Sequence, residues 1–394
     1  MRILFLTSRL PYPPDRGDRS RVFNFIKHLS REHELSLASF IAQESEREHL
    51  APLGAFCRDV RVVMMSQRRS ATSVLFNLWR REPLQALYYR SGAMRRLVDQ
   101  MLAENQFDVI YAHLFRMAPY VAGRPDLYRI VDLTDVISQE LARSMPYRGW
   151  ASRLLYRLET PRIRRYERHV AETFEETWLI SEADKRALTT TCAATNVRVV
   201  PIGVDEERFY PTGQPCEPDS LIFVGHLSVF HNVDAVTHLV QDVLPLVRQQ
   251  IPGCTLKIVG AEPNAQVRSL AGDPATTVTG YVPDLNDYLN RAAVFCAPLR
   301  FAAGVQTKVI EAMATARPVV TTSLVNAGLG ARAGRDLLIA DDAAATADQI
   351  VALLRDKELQ RKIGQAGLQF VRQKYSWGSV VARMRAIESD LVAG

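Results

Sequence analysis

The sequence predicts an α/β protein made of two doubly wound parallel-sheet domains, and three observations predict it. Short apolar runs of strand length recur along the 394 residues, among them RILFLT at the start and AVFCAP in the second half. Most are separated by stretches with helical spacing of their apolar residues, the alternation that builds a parallel sheet covered by helices. A polar, proline-containing stretch, TGQPCEPDS, divides the series into two halves, and a length near 400 residues fits two or three domains at roughly 150 residues each.

In the first half, Arg2–Thr7 is a strand, RLPYPPDRGDRSR a turn-rich loop, and a helix then runs to about Ser30. Gly17 and Asp18 lie just before that helix, where a backbone passes close to a ligand; a plain turn glycine explains Gly17 equally well. Further strands are expected at Leu35–Phe40, Val60–Met65, Asp108–His113, Arg129–Leu133, Trp178–Ser181 and Val197–Pro201. Ligands of such sheets sit beyond the carboxyl ends of the strands, which singles out His113, Asp132 and Asp135. An imidazole or carboxylate there suits a base that deprotonates an acceptor hydroxyl. Their structural alternatives are a histidine bonded to nearby backbone, a turn aspartate and a helix cap, respectively.

The second half repeats the scheme from DSLIFVGHLSV onward. A helix over about Asn232–Gln249 follows, then TLKIVG, a helix near Gln266–Ala271, TTVTG, Leu285–Asn290 and AVFCAP. Next comes FCAPLRFAAGVQTKVIEAMATARPVVTT: a strand, a loop with Gly304, a short helix and a strand after Pro318. Val309, Ile310, Met313 and Ala316 line one side of that helix, and Lys308 and Glu311 share another. A helix amino terminus offers N–H groups and a positive dipole end, which suits a phosphate; Lys308 adds a full charge, and a nearby carboxylate can accept from ribose hydroxyls. A nucleotide diphosphate is the expected occupant. LLIA (337–340), helices from Ala343 to Arg355 and from Lys357 to Lys374, and an amphipathic helix from Trp377 complete the chain. The expected domains are residues 1–205 and 206–376, with 377–394 returning to the first.

Composition narrows the function. No apolar run approaches the roughly 18 residues that span a bilayer, and MRILFLTSRLPYPP is interrupted too early for a signal peptide, so a first strand is expected. Five scattered cysteines form no CxxC pair, which argues against a disulfide framework or zinc site and for a reducing, cytoplasmic setting. The net charge is +6. Arginines concentrate between Arg143 and Arg168, interleaved with Trp150, Leu154, Leu155, Tyr156, Leu158, Ile163 and Tyr166. Either this is a long helix with solvated arginines, or it meets anionic lipid headgroups or an anionic acceptor. Nucleic acid is disfavoured, because no recognised nucleic-acid motif accompanies the charge.

Several segments in order resemble the family-4 type of GT-B glycosyltransferases, and the resemblance extends over most of the chain. They are LIFVGHLSVFHNVDAV with LPLVRQQIPGCTLKIVGAEP, then VTGYVPDLNDYLNRAAVFCAPLR, then GVQTKVIEAMATARPVVTT. VRVVPIGVDEERFYP resembles the turn between that family's domains, with Ile202 in place of an asparagine. In detail the chain is similar to the sugar transferases of bacterial exopolysaccharide loci, including those of PEP-CTERM systems. The resemblance implies two Rossmann-like domains facing across a cleft, a nucleotide-sugar donor on the second, and a glycan or lipid-linked acceptor on the first. It implies neither cofactor nor metal, and work at the inner face of the cytoplasmic membrane.

Carried over by motif, Glu311 would bind the ribose hydroxyls, Lys308 would neutralise the diphosphate and Gly304 would let the donor approach the backbone. Gly225 and His226 would line the phosphates, with His226 where the family has an arginine. Gly17, Asp18 and Arg21 match the family's first glycine loop, and His113 stands where a histidine lies near the donor sugar. The position of the first glutamate of E-x7-E is Ala303. Either other groups read the donor sugar, or the activity is lost, which leaves a nucleotide-sugar-binding subunit as one alternative. A nucleotide-sugar epimerase of the same plan is another. The missing glutamate also leaves retention or inversion of the sugar linkage open.

Overall fold

A computed structural model describes residues 1–14, 17–66, 80–301 and 304–384, with residues 68, 72, 74, 76 and 77. The chain divides into two compact units, Met1–Val200 and Pro201–Gly394.

The first unit holds a seven-stranded sheet in the order β3-β2-β1-β4-β5-β6-β7. Its strands are β1 (Arg2–Thr7), β2 (Glu34–Ile41), β3 (Asp59–Met64), β4 (Val109–His113), β5 (Tyr128–Thr134), β6 (Glu176–Leu179) and β7 (Val197–Val199). All neighbours pair in parallel; Ile3 stands opposite Val109 and Leu35, and His113 opposite Asp132. Residues of both faces of β1 and β4 are buried, which is why these strands read as unbroken apolar runs rather than alternating ones. Strand order reverses between β1 and β4, so their carboxyl ends form the switch point where such sheets take ligands. The helix Gly17–Leu29 follows β1 and buries Val22, Phe25, Ile26 and Leu29. Gly17 and Asp18 belong to its first turn, a correction to the expectation that they precede it.

The second unit repeats the plan with six parallel strands in the order β10-β9-β8-β11-β12-β13. These are β8 (Ser220–Val224), β9 (Thr255–Val259), β10 (Thr276–Gly280), β11 (Val294–Ala297), β12 (Val319–Thr321) and β13 (Leu338–Ile339). The switch point lies between β8 and β11. The helix expected over Asn232–Gln249 is one helical stretch with a wider π turn at Leu239–Val243. Asp342 and Asp356 cap the helices Ala343–Arg355 and Lys357–Tyr375 by accepting from Ala345 N and Leu359 N, at 2.8 and 2.9 Å. Those caps explain why both boundaries were readable. Residues 377–384 are helical, and Trp377 packs so closely on Gly203 that a Cβ there would overlap its ring.

The arginine-rich region is not one helix. A helix Ile137–Ser144 and a 3₁₀ turn Met145–Tyr147 precede the helix Trp150–Thr173. Pro146 and the extended Gly149 interrupt the path. Among the described residues no helix is long and apolar enough to cross a membrane.

Candidate functional site

The predicted elements of the second unit converge at its switch point. β8 ends at Val224, so Gly225 and His226 begin the loop at its carboxyl end. β11 ends at Ala297, and the chain returns through Gly304, at φ +56°, to the helix Thr307–Ala314. That helix buries Val309, Ile310 and Met313 of the apolar stripe read from the sequence, and Ala312 with them; Ala316, expected on the same stripe, lies beyond its end at a positive φ.

Lys308 is buried in the first turn. Its Nζ donates to Asn232 Oδ1 and lies 5.5 Å from the centre of the Phe223 ring. Asn232 Nδ2 donates in turn to the carbonyl of His226 at 3.0 Å. The same Asn232 presses on Gly225, where an added Cβ would stand 2.9 Å from its Cγ. One buried amide therefore ties the loop after β8 to the lysine after β11. Behind this, Gly260 at φ +154° ends β9 so close that a side chain there would overlap the carbonyl of Gly225. The backbone at Gly225 is thus packed from two sides, which fixes the loop without any side chain of its own.

Electrostatics follow from that packing. Burial pushes the Lys308 ammonium down to about 7, with Glu311 opposing the shift. Burial likewise pushes the Glu311 carboxyl up to about 7, against the pull of Arg208 and Lys308. The charged form of each is held back by lost solvation, and an anionic ligand would restore the lysine's charge. His226 Nε2 stands 3.7 Å from Glu262 Oε2, and its Nδ1 lies 3.0 Å from Ser228 Oγ. Gly225, His226, Gly304, Lys308 and Glu311 therefore all lie at or beside this switch point.

In the first unit, Arg21 is wholly buried and donates from Nε to Asp132 Oδ2 at 2.6 Å. Tyr111 Oη donates to the same oxygen, while the Thr134 amide donates to Oδ1 at 2.9 Å. Arg21 also packs over the Phe25 ring at 4.7 Å. Burial would lower the Arg21 pKa, yet the Asp132 carboxylate outweighs it and the net shift is upward. Burial and Asp132 hold the Tyr111 phenol well above 10. Asp132 is thus an acceptor at the centre of a filled network. His113, opposite it on β4, is buried, and its Nε2 has no hydrogen-bond partner among the described residues. Burial takes the imidazole down to about 4, with Asp132 and Asp18 opposing, so the neutral ring prevails at neutral pH.

Asp135 is not the cap of the next helix. Val136 takes the cap position with no side-chain cap bond, and its amide donates to Asp184 Oδ1 at 3.3 Å. Burial, then Asp184 and Glu140, hold the Asp135 carboxyl well above its usual range. Asp18 pairs with Arg9 at 3.5 Å. The structure brings Arg21, Asp132 and His113 together at the β4–β5 ends; Asp135, on the turn beyond β5, faces the Asp184 and Glu140 carboxylates. Ala303 lies outside the described residues.

Sequence reading missed Asn232, Gly260, Arg208 and Tyr111. Nothing in their spacing marks them, because each acts on a residue distant in the chain. Among the described residues, no group of three or more His, Cys, Asp or Glu could hold a metal ion.

Residues 218–356 match the family model described as glycosyl transferases group 1. Phosphatidyl-myo-inositol mannosyltransferase of Mycobacterium leprae is 34% identical over 160 residues, 39% of this chain. The aligned stretch spans 42% of that relative's length. An uncharacterised 44.6 kDa protein in the cps region of Klebsiella pneumoniae is 21% identical over 95% of this chain and 96% of its own. The crystal structure of Anabaena HepE in complex with UDP superposes with a TM-score of 0.71 at 15% identity, covering 99% of this chain and all of HepE. The fold is GT-B: two Rossmann-like units, the second carrying the group 1 glycosyl transferase pattern.

Proposed function

We propose that the protein is a nucleotide-sugar-dependent glycosyltransferase that moves a hexose from a nucleotide-diphosphate donor to a glycan acceptor. One observation carries the reading: buried Lys308, held by Asn232 against the Gly225–His226 loop at the β8–β11 switch point, inside the segment that matches group 1 glycosyl transferases. A buried cation beside a glycine-lined backbone is a site for a phosphate chain. The complex of HepE with UDP supports a nucleotide as the occupant.

In this reading Glu311 accepts from the ribose hydroxyls, while Lys308, Gly225, His226 and Gly304 hold the diphosphate. The first unit binds the acceptor beside the amino-terminal turn of the helix Gly17–Leu29, which carries Gly17 and Asp18, with Arg21 buried one turn further on. Transfer forms a bond from the acceptor oxygen to the anomeric carbon. The bond from that carbon to the diphosphate breaks, and the diphosphate leaves with the electron pair. Lys308 and the helix amino terminus stabilise the charge on the leaving group. Neutral His113, whose Nε2 lacks a protein partner among the described residues, is the best-suited group to take the hydroxyl proton. Asp132 holds Arg21, while burial and the Asp184 and Glu140 carboxylates hold the Asp135 carboxyl well above its usual range. The chemistry needs no cofactor or metal.

We place the acceptor in a cell-surface glycan or exopolysaccharide pathway, lipid-linked and met at the cytoplasmic face of a membrane. The relative in a cps region supports that setting. Titration calorimetry with a panel of nucleotide sugars tests the donor site: Lys308→Ala and Glu311→Ala should each weaken binding. Wild-type affinity in both variants rejects it.

A further inference from the structure

The helix Trp150–Thr173 changes character along its length. Its second part is packed: Glu159, Thr160, Ile163, Glu167 and Val170 are buried. Glu159 anchors the start of this part by accepting from Leu84 N at 2.8 Å and from Arg162 at 3.0 Å. The first part touches the preceding turn on one side, through Arg153 donating to the Pro146 carbonyl at 2.6 Å and Tyr156 lying under Arg148, and leaves its other side open. Trp150 is 82% exposed, Leu154 56% and Leu158 59%. At 3.6 residues per turn these three fall within about 80° of arc, on the side opposite the buried stripe. An apolar row turned directly away from the core does nothing for the fold and costs solvation. Arg153, Arg157, Arg164 and Arg165 are exposed on the same helix.

We infer that this protruding half-helix is a wedge that enters an anionic lipid bilayer, with Trp150, Leu154 and Leu158 at the boundary between headgroups and acyl chains. The inference deepens the proposed function by naming how the chain meets its lipid-linked acceptor, and it rests on that reading only for its purpose. Charge selects the occupant. An apolar row flanked by arginines matches the two layers of an anionic membrane surface, apolar beneath and phosphate above. Tryptophan suits that boundary because its ring is apolar and its N–H still reaches water. The arginines keep their stems on the apolar layer and their guanidinium groups among phosphates. Pro161 offers no N–H to the carbonyl of Arg157, which places the change from wedge to packed helix at that turn.

The test uses the full chain with phosphatidylcholine vesicles, with and without phosphatidylglycerol. The wild-type protein should sediment with the anionic vesicles, and added salt should weaken this. Leu154→Glu with Leu158→Glu should lower the partition coefficient by about 100-fold, since burying a leucine is worth roughly tenfold or more. Arg157→Gln with Arg165→Gln should cost roughly fivefold for each arginine, on anionic vesicles alone. Lipids brominated in the acyl chains should quench fluorescence that Trp150→Phe removes. All five substitutions fall on exposed side chains, so circular dichroism should be unaltered. Vesicle uptake that survives the double glutamate change overturns the wedge. So does self-association abolished by that change without vesicle uptake, which would make the face a contact between copies. Nucleotide-sugar binding in the same samples keeps the two readings apart: vesicle uptake without it rejects the donor site and leaves the wedge.

Discussion

The charge on Lys308 should govern donor affinity through pH. Its ammonium is buried, bonded to Asn232 and lowered to about 7 from an ordinary 10.5. A diphosphate beside it raises the pKa again, so binding above neutral pH must take up a proton. A group whose pKa is higher in the complex contributes affinity fully below its value in the empty site. That contribution is lost as pH rises toward the value in the complex. With the empty site near 7, affinity should fall ~10-fold per pH unit above neutrality, about 100-fold or 2.7 kcal/mol by pH 9. A nucleotide sugar suits the assay because its diphosphate is fully ionised throughout that range. Calorimetry at pH 8 in buffers of different ionisation enthalpy should show uptake of about 0.9 proton. Lys308→Met keeps the stem against Phe223 and should weaken binding and abolish the slope. Constant wild-type affinity from pH 7 to 9 with no proton uptake refutes the reasoning. The empty protein should respond in the opposite sense. Its folded lysine is depressed, so the unfolded chain holds more protons between 7 and 10.5, and the contribution to stability rises with pH across that window.

Asn232→Ala should leave the His226 carbonyl and Lys308 without their shared partner, at a cost of about 1–3 kcal/mol. Thermal unfolding should report the loss, and nucleotide-sugar binding should weaken with it, whereas a purely structural role predicts a lower Tm at unchanged affinity. In the first unit, Asp132→Asn strands a buried guanidinium and should cost about 3–5 kcal/mol in chemical denaturation. His113→Ala leaves a cavity where a buried ring stood, so it should cost some stability but less than Asp132→Asn, and it should lower turnover; equal stability losses in the two variants would count against a proton-accepting role for His113.

The two sheets were legible because parallel strands buried on both faces leave unbroken apolar runs, as in RILFLT and AVFCAP. Helix ends were legible where a local cap marks them, as Asp342 and Asp356 do. The break before Trp150 was missed although Pro146 and Gly149 stood in view, because charge composition suggested one helix across them. Motif resemblance pointed to Gly225, Lys308 and Glu311, since a loop and the helix after it present neighbouring residues to one ligand.

What the sequence by itself determined is local: which segments pair as strands, where helices start, and which charged residues lie beside a strand end. Tertiary structure decided what those charges do. Asn232 stands 76 residues from the lysine it holds, and Arg21 stands 111 from its carboxylate. Lys308 and Glu311 look like ordinary ions in the sequence, and only their burial brings both near neutrality. Solvation is a property of everything packed around a group, so no reading of neighbours along the chain can supply it. The same holds for Trp150, Leu154 and Leu158, whose spacing fits a core-facing stripe until the fold turns that stripe outward.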